Sequence, residues 1–587
     1  MEHFHKSPDS EVLANVETLF ISISVTTFLY MDIPHLAAFY RHYAGPADKI
    51  EGESFSIDDD MYKIVQHEPL RVYTGTASWN GSFLYVDWKI VLAFTGGNAI
   101  GIANISITGS AVSGIKVHEN AVESNLKQMT FVLGGKSPAI VFKDADLDRA
   151  LERRVEHDVT MPAQAGTSAR PSFRDYLPKP DFPRLKHLSS CDAHTWGDLR
   201  IKEPFVADWM SLANGLISAP YQGITTDGVV QKGLFKLAGV NDDHGAPVQA
   251  MIDAVNNILL CASEQERRLI CHDLDALQWR QWMNPEIYVF KNGVRLEEIS
   301  DALAEKIHAL MRASLSPSGY QRAIGCMKVN AFLGRLVNGR GVLNRDSYNF
   351  VLYGEMPPRR DRPWGWQLYG HHLCLNCTVL NTQMVLSPVF MGAEPNVIDD
   401  GGSDDGLLLF DTQEARGLAL MQSLPQDLQC RIRVYDNLED PNMPEWRFHR
   451  ADQRHLGGAF QDNRVIPYEG VPVVEFPTWA QSAVENIIRI SLDILPEKSL
   501  DQRMREILQH WSKTFFSWIG SFSDVDAFYY KIHSPVIMIE FDHHTGLFLT
   551  NKEALPFHIH TLIRTPNGND YGKEYIRQYN EQAASRA

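Results

Sequence analysis

Hydrophobic periodicity divides the chain unevenly. Residues 19–31 are apolar and rich in Ile, Val, Thr and Phe without a helical period, and residues 35–45 (HLAAFYRHYAG) carry apolar side chains at helical spacing. Residues 152–172 change character, with a charged ERRVEHDV followed by TMPAQAGTSARPS, which is a linker composition. A Pro-rich arm over 173–188 precedes a mostly helical region, where apolar spacing predicts helices over 248–262, 263–275, 296–315 and 320–336. Alternation then predicts strands over 347–354, 366–379 and 384–390, with helices returning over 413–424 and 477–494. Residues 529–541 and 557–565 read as closing strands. Helices first and antiparallel strands late predict a large α+β domain over 173–587, preceded by a segment at 1–155 and a linker at 156–172. No internal repeat is visible.

Composition narrows the function classes. A chain of 587 residues exceeds one ordinary core, and 44% hydrophobic with 22% charged residues is globular usage. The balance of 55 basic against 72 acidic residues, −17 overall, disfavours nucleic acid, whose phosphates need a basic stripe. The one local cluster, Arg359, Arg360 and Arg362, lies in a Pro-rich turn and reads as a solvated loop. Seven scattered cysteines, an odd number, fit reduced thiols rather than a disulfide framework. The start MEHFHKSPDSE lacks the pattern of a signal peptide, and residues 19–31 are shorter than the roughly 20 that a membrane span requires. The expectation is a cytoplasmic protein with neither membrane nor nucleic acid as partner.

Two family resemblances add to this. ASWNGS (77–82), SITGSAVSG (106–114) and TFVLGGKSP (130–138) resemble aldehyde dehydrogenases over roughly 34–151. The resemblance implies an incomplete α/β, Rossmann-type fragment. By the same resemblance, Asn80 would donate to a developing oxyanion, and Gly109 and Ser110 would open a helix against the cofactor pyrophosphate. The family's general-base glutamate is replaced by Val132, and no cysteine precedes Cys191, so the nucleophile motif is absent. Aldehyde oxidation and NAD(P) binding are therefore not expected, and an NAD(P)-dependent oxidoreductase stands as a second alternative only. A doubly wound sheet without its central strands leaves open edges, so residues 1–155 are predicted to be partly disordered or to lean on the second part. WRQWMNPE (279–286), WGWQLYGHHLCLN (364–376), FMGAEP (390–395), HLGGAFQDNRVIPYEG (455–470), IHSPVIMIEFDHH (532–544) and HIHTLIRTPNGNDYG (558–572) resemble an uncharacterised domain family of bacteria and fungi, over about 173–572. That resemblance implies a family and no activity.

The chemistry lies in the histidine-rich strands. Alternation places His558, His560, Leu562 and Arg564 on one face, and Met538, Glu540, Asp542 and His544 on one face of the preceding strand, with His543 turned away. A strand over 364–378 would carry His372 with Cys374 and Asn376. If these strands adjoin, His372, His558, His560 and Asp542 converge. Two histidines and a carboxylate suit a divalent first-row metal, with His558, His560 and Asp542 as candidate ligands. The candidate catalytic set is His372, His558, His560, Arg564 and Asp570. Arg564 with Asn567, Asn569 and Asp570 would anchor an anionic group or, equally, only build a turn. Cys374 and Cys377 fall on opposite strand faces and make neither a chelate nor a redox pair. Trp364 and Trp366 read as core. Three readings stay open: a metal-assisted enzyme acting on a small molecule, a metal-free pocket with a catalytic histidine, and a binding or scaffold protein with a structural histidine network.

Overall fold

Both faces of the central strands are buried, so apolar residues occupy both sides of the sheet and the polar residues among them, such as Glu540 and Asp542, are buried as well. The computed structural model describes residues 171–586 except 180 and 240–241, together with six short strands before 171. The chain divides into two units, Met1–Ala163 and Gln164–Ala587. In the first, β1 (Glu53–Asp58) pairs antiparallel with β2 (Met61–Val65). There β3 (Val72–Tyr73) pairs parallel with β4 (Ala99–Ile100), and β5 (Asn104–Gly109) with β6 (Gln128–Leu133). Gly109 closes β5 and Val132 lies in β6, whereas Asn80 and Ser110 lie outside the described residues. The predicted partial disorder of 1–155, and the linker up to 170, also fall outside them.

The second unit is built on a sheet of twelve strands. They are β7 (Cys271–His272), β8 (Val294–Arg295), β9 (Tyr348–Gly354), β10 (Trp364–Gly370), β11 (Leu373–Leu380), β12 (Gln383–Ala393), β13 (Arg433–Tyr435), β14 (Val471–Pro472), β15 (Phe515–Ile519), β16 (Tyr529–His533), β17 (Met538–His543) and β18 (Ile559–Arg564). The order is β13-β15-β16-β17-β18-β12-β11-β10-β9-β7, with β14 beside β15 and β8 beside β9. The pairings β13·β15 and β7·β9 are parallel, so the sheet is mixed rather than purely antiparallel. Both parallel strands are short pieces that follow a helix directly, Gln426–Ile432 and Glu264–Ile270 respectively.

One face packs Phe350, Leu368, Leu375, Ile539 and Phe541 against the helices Val248–Cys261, Asp301–Ser314, Pro317–Leu336, Asp411–Ser423 and Thr478–Ser491. Ser263 and Glu266 form the reciprocal cap that starts the short helix Glu264–Ile270. The opposite face carries Val351, Tyr369, Cys374, Phe390, Met538 and Leu562 under the helix Pro204–Ser218 and long irregular segments. Cys374 and Cys377 sit in the cores on opposite sides, and burial pushes both thiols above their ordinary range. All seven cysteines are free. Trp364 and Trp366 are core residues. No helix among the described residues is long and apolar enough to cross a membrane.

Two predicted strands prove to be hairpins. Residues 364–378 reverse at His371 and His372, where Gly370 pairs with Leu373, and 529–541 break at Ser534 and Pro535 between β16 and β17. Alternation survives a tight reversal, so the pattern alone does not report one. His372 takes the left-handed conformation (φ 59°), which histidine tolerates better than most side chains. The helix expected over 263–275 stops at Ile270, where the chain enters the sheet. The polar helices Glu497–Leu508 and Lys573–Arg586 were not anticipated, because few apolar residues mark their buried sides.

Candidate metal centre

The site grows from three neighbouring strands and a turn. β18 pairs with β17 on one side and β12 on the other, so His560 stands opposite both Asp542 and Gly392. His372 reaches the same place from the β10–β11 turn, one strand further along. The backbone N–H of His372 donates to the Asn284 carbonyl (3.0 Å), and that of Gly392 donates to the His372 carbonyl (2.8 Å), which pins the turn. Gly392 is required for closeness: a Cβ there would lie 2.9 Å from His560 Cδ2 and 3.0 Å from His372 Cδ2.

Three imidazole nitrogens meet at this point. Nε2 of His560 lies 3.1 Å from Nε2 of His558 and 3.0 Å from Nε2 of His372. The Nδ1–H of His558 donates to the Thr545 carbonyl (2.7 Å), so its Nε2 presents a lone pair inward. One proton at His560 Nε2 can serve only one of these two contacts, which leaves the other without its N–H···N bond. Ligands about 2.1 Å from a shared ion lie about 3.0–3.4 Å apart for right-angled to tetrahedral bonds, so both separations from His560 fit a shared ion, and the three residues offer ligand atoms within 4.8 Å of one another. Among the described residues a second group, His455, His544 and His560, also gathers nitrogens closely enough to hold one. The stacking of His544 on His560, with ring centroids 3.8 Å apart, suits shared coordination less well than the 4.8–5.3 Å separations in the first triad.

The surroundings hold these rings neutral. Burial pulls His372, His558 and His560 below the ordinary histidine range, and repulsion from neighbouring histidines adds to this at His372 and His560. His544 falls to about 3 and His371 to about 4, again chiefly through burial, although Asp542 and Glu286 oppose the shift. The His371 Nδ1–H donates to Asn330 Oδ1 (2.8 Å), leaving its buried Nε2 without a partner. Asp542 Oδ1 accepts from Arg454 (2.7 Å), while Oδ2 lies 2.9 Å from His544 Nε2 at a poor hydrogen-bond angle. Burial alone would raise the Asp542 carboxyl, but Arg454 and His544 outweigh it and hold it well below the carboxylate range. Glu394 accepts from the backbone N–H groups of Leu547, Phe548 and Leu549 at 2.8–3.0 Å, anchoring the loop that follows His544.

The triad opens on a cavity. His372, His558 and His560, each only 2–4% exposed, line a space of ≈ 390 Å³ together with His371 and His544. This is the size of a small-molecule site. Arg450, Arg184, Arg200, Phe205 and Trp209 form other parts of its wall.

The predicted residues therefore separate. His372, His558 and His560 come together. Asp542 is their neighbour in register, yet it is engaged by Arg454 and His544 and belongs to neither triad. Arg564 and Asp570 lie further along the same face and do not line the cavity. Arg564 donates to Asp462 (2.8 Å) and lies 3.2 Å from Asp570, which accepts from Ser387 and the Thr565 N–H. Asn567 adopts φ 59° and Gly568 φ 90°, as turn residues do. His371, Glu394, Thr545 and Asn284 were not foreseen. The doubled histidines of GHHL and DHH were the available signal for His371 and His544; nothing local marks the rest.

Comparison with known proteins accounts for both parts of the chain. A family model described as "Protein of unknown function (DUF3500)" matches residues 244–573, more than half of the chain. The chain belongs to this family. Every residue of both histidine groups lies within the DUF3500 match, whereas Arg184, Arg200, Phe205 and Trp209 precede it. The aldehyde dehydrogenase family model matches 7–102 and 99–170. Retinal dehydrogenase 2 of Homo sapiens is 32% identical over 192 residues, covering 25% of this chain and 37% of the relative. An aldehyde dehydrogenase of Aspergillus niger is 30% identical over 190 residues, covering 24% and 38%. The chain thus spans under two fifths of the length of these relatives. The NAD+ complex of aldehyde dehydrogenase from Bacillus cereus is 27% identical, with a TM-score of 0.15 over 24% of this chain and 38% of that one.

Proposed function

We propose that the DUF3500 domain is a metal-dependent enzyme for a small molecule, with His372, His558 and His560 as the ligands of a divalent first-row ion. The observation that carries the reading is the approach of His558 Nε2 and His372 Nε2 to His560 Nε2 at 3.1 and 3.0 Å, with the His558 lone pair directed inward by the Thr545 carbonyl. One proton cannot serve both contacts of His560 Nε2, a buried polar contact left unmade is costly, and a cation would serve all three nitrogens at once. When bound, such an ion supplies Lewis acidity or an activated water, which suits hydrolytic, lyase or oxygen chemistry. The chain's own part is to fix the His558 tautomer through Thr545, to hold His544 through the Arg454–Asp542 pair, and to exclude bulk water from the cavity floor. Aldehyde oxidation by residues 7–170 is not part of this reading, because the base position is Val132 and no cysteine precedes Cys191.

The test is elemental analysis of the full chain, expressed with iron, zinc and manganese supplied, beside a His558→Ala/His560→Ala variant. The reading expects close to one equivalent of metal in the parent and its loss in the variant, with circular dichroism unchanged. A folded parent free of metal leaves the structural network as the better account.

A further inference from the structure

The wall of the cavity also carries three arginines, Arg184, Arg200 and Arg450, and their charges are incompletely answered. Arg184 reaches Glu286 at 3.2 Å, and Arg200 pairs with Glu203. Arg450 lies over the Phe205 ring at 4.5 Å and has no carboxylate partner among the described residues. Glu203 and Glu286 therefore neutralise two of three guanidinium groups, leaving one positive charge over. The Nε atoms of Arg184 and Arg200, and Oδ1 of Asn284, are buried without a hydrogen-bond partner. Burial, and then repulsion from Arg184, lowers Arg200 below the ordinary guanidinium range, so these two cations crowd one another. Phe205, Val206, Trp209 and Ile287 supply apolar wall beside them.

We infer that the cavity takes a small organic monocarboxylate, its acid group held by Arg184, Arg200 and Arg450 and its apolar body laid against Phe205, Trp209 and Ile287. The inference rests on the reading of this cavity as an active site. A planar carboxylate matches the guanidinium fork, and Arg450, exposed and without a carboxylate partner among the described residues, has its donors free to take one. Counted at these side chains alone, apart from an ion held by the histidines, one surplus charge suits a monoanionic acid group. A substrate held in this way carries its remaining functional group toward the histidine end of the same cavity.

The experiment is binding of benzoate and phenylacetate to the full-length protein by saturation-transfer NMR and calorimetry, against benzamide, phenylacetamide and inorganic phosphate. The acids are expected to bind about tenfold or more tightly than the matching amides, the scale of lost hydrogen bonds to a charged group. Arg450→Gln, a change at an exposed side chain, is expected to weaken the acids by a similar factor, and Arg184→Gln/Arg450→Gln further, with metal content and melting temperature of Arg450→Gln unchanged. Amides binding as well as acids, phosphate outcompeting every acid, no binding of either acid, or a folded Arg450→Gln that binds them undiminished would each overturn the inference. Acid binding that depends on the arginines in a protein free of metal supports this inference and sinks only the proposed ion. A metal-loaded protein indifferent to carboxylates does the reverse.

Discussion

Two buried polar clusters lie along β18, and they solve the problem of burial in opposite ways. At the C-terminal end, Arg280 and Arg564 face Asp462 and Asp570, with Arg280 donating to Asp462 at 2.7 Å and Arg564 at 2.8 Å. Tyr571 also donates to Asp462 (3.0 Å), and its hydroxyl accepts from Trp282 (2.9 Å). Carboxylates and guanidinium groups match in number inside the cluster, although Arg564 Nε and Nη1 and Asp570 Oδ2 lack hydrogen-bond partners, and neither Arg564 nor Asp570 lines the cavity. At the N-terminal end, imidazole nitrogens converge beside a cavity with too few protons to serve every contact. The lesson is that burial and polarity alone do not mark a functional site. What separates the two ends is whether opposite charges pair within the cluster or like groups converge on one point beside a cavity.

Lowering the pH should break the comparison most sharply. Five histidines at the one end, His371, His372, His544, His558 and His560, have folded values below their unfolded one. Between pH 6.5 and about 4 the unfolded chain then binds more protons than the native one, so stability is full above 6.5 and declines as pH falls. Each group contributes on the order of 1 kcal/mol per pH unit. Urea midpoints of chelator-treated protein should fall steeply over that window, and a flat profile from 6.5 to 4.5 would show that these rings are not held neutral. Asp462→Asn comes next: two guanidinium groups lose their shared counter-charge, for about 3–5 kcal/mol of lost stability. Bound metal per folded molecule should be unchanged in that variant, which separates the two ends.

Gly392→Ala sharpens the comparison from the other side. The added methyl would crowd His372 and His560, costing about 1–3 kcal/mol by overpacking and lowering metal affinity in the same variant. Unchanged metal affinity, read by competition with a chelating dye, would argue against the triad. The smallest effect belongs to Arg359→Ala in the exposed loop, where Arg359 pairs only with its neighbour Asp361. Its unfolding midpoint should shift by less than about 0.5 kcal/mol.

Alternation made much of this site legible. It placed His558, His560 and Arg564 in one row and turned His543 away; His543 indeed accepts from the Phe528 N–H on the other side. It left open whether the β17 and β18 rows adjoin; they do, with Asp542 opposite His560. It did not reveal that β12 intervenes between β18 and the turn carrying His372, because strand order is set by packing of the whole sheet. Nor could it separate Arg564 from the histidines: the same row continues into an ion-pair cluster whose partner Asp462 is about a hundred residues away in the chain. Glu394, Thr545 and the arginines of the cavity wall act through tertiary neighbours, which no local period reports. The helix Val248–Cys261 was visible because its apolar stripe faces the core directly.

The account stands or falls on what the three imidazoles hold. X-ray absorption at the metal edge of the full-length protein reads that directly, with the His558→Ala/His560→Ala variant as reference. The account predicts a first shell containing three imidazole nitrogens at about 2.0–2.1 Å, with their outer-ring scattering, and loss of that shell in the variant. Sulfur in the first shell, or an imidazole count unchanged by the substitutions, would contradict it.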